Sequence, residues 1–445
     1  MTLAELQGNV ICGYGSEHAH YVFARITDPD AARGWLEDRL DHVTYNDSWE
    51  DERPGHTLNI AFTHAGLLRL GVPAERMVGL EAFCSGMAAR AAVLGDLGSS
   101  APEAWDPGLR DAHLLITLTA WNEDQLVATR AELDEHLADP GIGLQPTYAQ
   151  VAATLAGARE HFGFSDGFSQ PAIAGASTGP RDGEGTLTRW RRWRELRLGE
   201  FVLGYQDEGG LGSPAPSGRL GQDATFMVIR KLEQDVAAFR AYVAEEGRRL
   251  RRDPDWIAAK LVGRWQNGSP LTSYPDGPGP PAATQRAEIN RFRYGEDPRG
   301  LGCPLGAHVR RANPRDALGW EGRLTQRHRI LRRGMSYGPQ LPEGVIEPDG
   351  HERGLMFVSF QASIEHQFEF IQKQWLGDGN VFGLGADRDP IVAGRAGQGS
   401  GGTMVIQGSP PVYLTCLPTF VRTRGGDYFL LPGRAGLQAL ATGGW

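Results

Sequence analysis

What most constrains this chain is a strand pattern followed directly by a helical one, repeated in both halves, without the glycine-rich turn of a nucleotide-binding sheet. His20 to Ile26 (HYVFARI) is β-branched and aromatic, and Asp28 and Pro29 then open a helical pattern carrying Trp35, Leu36 and Leu40. His56 to Phe62 predicts a strand, with Thr63 as N-cap of a helix bearing Leu67, Leu68 and Leu70. His113 to Leu118 predicts another, with Asn122 capping a helix through Leu126, Leu133 and Leu137. The pattern returns at Thr225 to Ile229 before a helix over Asp235 to Ala244, and at Leu355 to Phe360 before one carrying Ile364, Phe368 and Ile371. These alternations predict an α+β protein of two related ferredoxin-like halves with antiparallel sheets. The expected division is an N-terminal domain over residues 1–174, connecting loops over 175–220 and a C-terminal domain over 221–445. Gly and Pro are dense from Gly175 and again at Tyr274 to Thr284, which predicts surface loops there.

Composition removes several classes of function. A net charge of -9 with scattered basic residues gives no concentrated positive face, so nucleic acid is not an expected partner. The one local run, Arg189, Arg191, Arg192 and Arg194 beside Trp190 and Trp193, reads as a packed helix surface. Cys12, Cys84, Cys303 and Cys416 are too far apart for structural zinc or a disulfide scaffold. No apolar run reaches the length of a membrane span, and the first residues lack an export signal or twin arginine, so no membrane partner and a cytoplasmic location are expected.

Three segments could carry chemistry. His308 follows a turn of Pro304 and Gly306 in CPLGAHVRRANPRD, where a neutral imidazole could meet an iron; taken alone, one of 12 histidines is more often a satisfied polar residue. Asp166 lies in HFGFSDGFSQP between Gly163 and Gly167, among phenylalanines expected to wall its carboxyl and disfavour its charge, unless it merely closes an Asx-turn. Arg332, in HRILRRGMSYGP, could stabilise charge on a leaving oxygen or form a surface ion pair.

Together these segments resemble the dye-decolorizing peroxidase family. The resemblance begins at LQGNVICGYG and includes the G-x-x-D-G motif as Gly163 to Gly167. It continues through TFMVIRKLEQDVAAF, KLVGRWQNGSPL, CPLGAHVRRANPRD, HRILRRGMSYGP, GLMFVSFQASIEHQFEFIQKQW and ADRDPIVAG, in order over most of the chain. It implies a haem b (iron protoporphyrin IX) cofactor held mainly by the C-terminal half, with His308 as the proximal iron ligand and Asp389 accepting a hydrogen bond from its other ring nitrogen. It implies Asp166 as distal acid–base residue, Arg332 as its charged partner, and Leu355 and Phe357 as apolar distal positions. Arg333 and Arg329 compete with Arg332 for the distal place. Arg311, Arg315 and Arg329 are candidates for the haem propionates.

The implied activity is reduction of hydrogen peroxide coupled to one-electron oxidation of dyes, phenols or other bulky organic reductants. Tyr337 is the first candidate for relaying electrons from the surface, if it is not simply a packed aromatic, with Trp265 and Trp375 behind it. The rival reading is a haem-binding or iron-handling protein without turnover, which would have no need for Asp166 and Arg332 together.

Overall fold

The computed structural model describes residues 3–11, 13–46, 54–176, 182–188, 190, 192–284, 288–393 and 401–445. In the first half, strands β1 (His18–Ile26), β2 (His56–Phe62), β3 (Leu114–Ala120) and β4 (Leu144–Ala153) pair antiparallel in the order β4-β1-β3-β2. A short hairpin, β5 (Thr186–Leu187) with β6 (Trp193–Arg194), lies in the connection. The second half contributes β7 (Thr225–Gln234), β8 (Leu331–Arg332), β9 (Met335–Tyr337) and β10 (Gly354–Gln361). After a separate ribbon of β11 (Gly402–Ile406) and β12 (Val412–Leu417), β13 (Val421–Leu431) completes it in the order β13-β7-β10-β8. Counting β8 and β9 as one interrupted strand and leaving the β11–β12 ribbon aside, both halves read 4-1-3-2 from their own first strand, the ferredoxin-like arrangement.

The halves share one sheet of nine strands, joined where Leu430 of β13 pairs with Phe62 of β2. That sheet curls until β4 meets β9, so it has an inside and an outside. Inward side chains, among them Phe23, Met227, Val358 and Phe429, form one buried cluster. Outward ones such as Val22, Ile116, Phe226 and Leu430 pack beneath the helices in another. The C-terminal helix Arg434–Thr442 adds Leu437 and Leu440 to the cluster that holds Trp35 and Leu36 of the first half.

Local chemistry accounts for the helix starts. Asp28 accepts hydrogen bonds from Asp30 and Ala31 at the head of Pro29–Arg39; Thr63 caps His64–Arg69 and Asn122 caps Glu123–Leu137. Each such cap contributes about 1 kcal/mol. Asp235 caps Val236–Leu250, which runs nearly two turns past the Ala244 its apolar pattern indicates. After β10 the expected α-helix is instead two wider π-helical stretches, Ile364–Glu369 and Ile371–Leu376. The basic run also differs from expectation: Trp193 and Arg194 form strand β6 rather than a helix face, Arg194 pairs with Glu208, and Arg189 and Arg191 lie outside the described residues. Cys84, Cys303 and Cys416 are free thiols, while Cys12 and residues 177–181 of the first glycine-rich loop lie outside the described residues. Among the described residues no helix is long and apolar enough to cross a membrane.

Candidate active site

The turn at Pro304 to Ala307, closed by Ala307 N–H donating to Pro304 O (3.1 Å), delivers His308 as the first residue of the short helix His308–Ala312. Arg310 locks that turn from behind, donating to Cys303 O (2.7 Å) and to the backbone of Asp297 (2.9 Å). His308 Nδ1 donates to Asp389 Oδ2 (3.0 Å), as expected. The other Asp389 oxygen accepts from the N–H groups of Ile391 (2.9 Å) and Val392 (2.8 Å), so the fully buried carboxylate is fixed on both sides. Burial would raise the Asp389 carboxyl, but His308 and these hydrogen bonds hold it below the usual range; burial would lower His308, but Asp389 raises it. The His308 side chain keeps 28% of its surface accessible inside an otherwise enclosed region, leaving its far edge open.

The distal loop depends on its glycines. Gly163 and Gly167 have φ of 99° and 80°, which side chains rarely adopt, so the G-x-x-D-G spacing is a backbone requirement. Asp166 N–H donates to Ala158 O (3.0 Å) and Ser165 N–H to Gln266 O (2.9 Å). Glu160, which the sequence does not single out, is half-buried beneath the loop. It accepts from the N–H groups of Phe162 (3.0 Å) and Phe164 (2.9 Å) and from Gln234 Nε2 (2.7 Å). The phenylalanines do not wall the Asp166 carboxyl as expected: Phe162 and Phe164 turn away onto Phe239, with ring centroids 4.6 and 6.5 Å apart. Asp166 is 46% accessible and lies 3.6 Å from a guanidinium nitrogen of Arg332.

Register explains why Arg332 is the partner. Arg332 pairs with Ser359 across β8 and β10, so its side chain shares a face with Leu355, Phe357 and Ser359. Leu355 and Phe357 are only half-buried, although β10 is paired on both edges and Met356 and Val358 on its other face are fully covered. The Gln170 side chain clamps the Arg332 backbone, donating to its carbonyl (2.7 Å) and accepting from its N–H (3.1 Å). Arg333 instead donates to the carbonyls of Asn9, Val10 and Ile11 and ties the N-terminal segment to β8. The adjacent arginines are thereby separated in role, and Arg332 is near enough for its charge to bear on His308.

The propionate candidates divide. Arg329 is 8% exposed and pushed down to about 9 by burial and by Arg315. Arg315 donates to Asn290 O (2.7 Å) and Phe292 O (3.2 Å), and burial lowers it too. Arg264, which the sequence reading passes over inside KLVGRWQNGSPL, is likewise pushed down to about 9 by burial and by Arg315. Among the described residues no carboxylate lies within ion-pair distance of these three. Such a cationic excess suits a cofactor carrying two carboxylates and a broad apolar face, so the residues fit haem. Arg311 is a correction: its guanidinium is fully buried and donates to Trp375 O (3.1 Å), Leu376 O (3.4 Å) and Asp387 O (2.6 Å). It pins the segment bearing Asp389, whose own N–H also donates to Leu376 O.

Tyr337 stands on the other face from Arg332. It pairs with Gly354, facing inward with Met356's side of β10 rather than with Arg332, and is 3% exposed. Its hydroxyl has no hydrogen-bond partner among the described residues, and Lys231 stands 5.0 Å from its ring centroid. A phenol that loses an electron must release its proton, and here nothing accepts it while a cation opposes the positive charge. Trp265 donates to Tyr274 O (2.7 Å) and is buried; Trp375, 2% exposed, packs against His328 and Phe370.

An imidazole backed by a carboxylate, together with an acid joined to a guanidinium, on a doubled ferredoxin-like scaffold, suits a peroxidase. A family model described as the DyP dimeric alpha+beta barrel domain matches residues 5–145, and one described as Dyp-type peroxidase, C-terminal matches residues 279–381. The chain is 30% identical over 433 residues to a dye-decolorizing peroxidase of Mycena epipterygia, covering 88% of this chain and 77% of the relative. It superposes on the crystal structure of a fungal DyP-type peroxidase from Auricularia auricula-judae with a TM-score of 0.86 at 26% identity, covering 99% of both chains. An ancestral D-type dye-decolorizing peroxidase gives 0.84 at 30% identity, with 98% of both chains covered. The chain belongs to the dye-decolorizing peroxidase family, and haem, peroxide and reducing substrates follow from that membership.

Proposed function

We propose that His308 ligates the iron of haem b, that Asp389 orients and enriches this imidazole, and that Asp166 and Arg332 activate hydrogen peroxide on the opposite side. The supporting observation is the 3.0 Å His308–Asp389 hydrogen bond together with the 3.6 Å Arg332–Asp166 pair, whose guanidinium is near enough to bear on His308. Arg329, buried with only two hydrogen bonds of 3.4 Å and no carboxylate partner among the described residues, holds a propionate, and Arg315 and Arg264, which already donate to carbonyl oxygens, add positive charge beside it. Haem bound there supplies the electrons that break the O–O bond and the oxidising equivalents later returned to one-electron reductants.

Asp166 accepts the proton of the nearer peroxide oxygen and returns it to the farther one, which leaves as water. Arg332 stabilises the negative charge that develops on the leaving oxygen. Leu355 and Phe357 restrict the distal space to small molecules, so dyes and other bulky reductants are oxidised from outside it. The acid–guanidinium pair favours turnover over a haem-binding or iron-handling role, since ligation alone uses neither group. The same reading keeps residues 1–174 and 221–445 as two domains with the haem mainly in the second, supported by the repeated 4-1-3-2 strand order.

Stopped-flow measurement of the peroxide reaction tests the assignment. Arg332→Leu and Asp166→Asn retain haem, and each slows that reaction by roughly a hundredfold or more. Unchanged rates in both variants contradict it.

A further inference from the structure

The curled sheet leaves a second opening. A cavity of about 430 Å³ occupies one end of the barrel, lined on one side by Tyr21, Thr117 and Asn59 and on the other by Met227, Val358 and Phe360. Residues of the N-terminal segment and of the Gly167 to Ile173 stretch close over it. Gly167, Gln170 and Arg332 lie along the rim it shares with the distal loop, but its apolar wall is separate: Val358 and Phe360 project from the face of β10 opposite Leu355 and Phe357.

Its polar wall is a row set by strand register. Tyr21 of β1 lies opposite Thr117 of β3, which lies opposite Asn59 of β2, so the three side chains stand abreast on the inner face. The Asn59 amide is committed, accepting from Tyr14 and donating to Gln7 and Thr44. Tyr21 is not. Its side chain is 2% exposed and burial is the only influence on its phenol, which is raised; no hydrogen bond satisfies the hydroxyl among the described residues. A buried hydroxyl without a partner costs stability unless something meets it.

The chemistry of the occupant follows from the walls. None of the three residues in the row is ionised, and the charged groups at the rim are engaged already, Arg333 with three backbone carbonyls, Arg332 with Asp166 and Glu184 with Asn290. A charged ligand would therefore lose its hydration without compensation. The opposite wall is apolar and includes an aromatic ring, and the volume suits one small ring rather than a polycyclic dye. We propose that this barrel mouth binds a small neutral phenol, whose hydroxyl meets Tyr21 and Thr117 while its ring lies on Met227, Val358 and Phe360. Resting on the peroxidase reading, this makes single-ring phenols a reductant class with a binding site of their own.

The test is titration of the haem-loaded full chain with 4-fluorophenol, followed by ¹⁹F NMR, together with steady-state oxidation of 4-fluorophenol and of a sulfonated anthraquinone dye. Tyr21→Phe and Thr117→Val each weaken 4-fluorophenol binding roughly fivefold, the loss of one hydrogen bond between neutral groups. The KM for 4-fluorophenol rises by the same factor, while the Soret band and the KM for the dye stay as in the unaltered protein. Unchanged affinity in both variants, or absence of saturable binding to the unaltered protein, overturns the proposal. A chain that binds 4-fluorophenol through Tyr21 but shows no reaction with peroxide would leave this site standing and remove the peroxidase assignment instead.

Discussion

Asp389 receives His308 on one carboxylate oxygen and the backbone of Ile391 and Val392 on the other, so the imidazole is aimed by a group that cannot rotate. Asp389→Asn keeps the shape but removes the charge that makes the ring electron-rich. Haem affinity or the rate of peroxide cleavage falls ten- to a hundredfold, on the order seen when such a partner is lost. Equal rates and equal haem retention would show that the carboxylate charge is idle.

Arg329 and Arg311 give opposite signs. Removing a buried cation without a carboxylate partner relieves desolvation, so Arg329→Leu stabilises the haem-free chain while weakening haem retention about tenfold. Arg311→Met instead strips hydrogen bonds from three carbonyls, two of them buried, and destabilises the chain by about 3 kcal/mol with or without haem. Urea unfolding of both forms, with haem transfer to an acceptor protein, separates the two cases. Arg329→Leu destabilising the haem-free chain would contradict the propionate role.

Tyr337→Phe removes a hydroxyl that is buried without a partner. Dye oxidation stays within about twofold, and stability rises by about 1 kcal/mol. A large fall in turnover with the bulky dye, at an unchanged peroxide rate, would restore Tyr337 as an electron relay.

Glu200, 4% exposed, is pushed up to about 7 by burial, from the 4.5 usual for a glutamate. The folded state thus holds this proton more tightly than the unfolded chain does. Its contribution to stability is fully present below pH 4.5 and is lost as pH rises towards 7, by up to about 3 kcal/mol. Glu200→Gln removes that component, so its urea midpoint declines less between pH 5 and pH 8. Parallel pH profiles for the two proteins would contradict the assignment.

Much of the architecture is legible locally. His56–Phe62 is a strand at its expected bounds, and Asp28, Thr63 and Asn122 cap the helices whose starts they mark. Alternation and capping act over a few residues, so a linear reading captures them. The His308–Asp389 pairing comes instead from family resemblance, because 81 residues separate the partners. What stays hidden depends on contacts between distant segments. Glu160 gains its place under the distal loop from Gln234, and Arg264 gains its from Gly268, Ile289 and Asn290. Arg311 stands beside the ligand histidine in sequence, yet its direction is set by carbonyls of residues 375, 376 and 387. The phenylalanines around Asp166 have the expected composition, but the positive-φ glycines turn Phe162 and Phe164 into the core.

The most direct measurement is the absorption spectrum of His308→Ala beside the unaltered protein, both purified with haem supplied and then mixed with one equivalent of peroxide. The account predicts a Soret band that shifts on peroxide addition in the unaltered protein, and in the variant a band that is lost or recovered only with added imidazole. A normal band and a normal peroxide response in His308→Ala would mean that some other residue holds the iron.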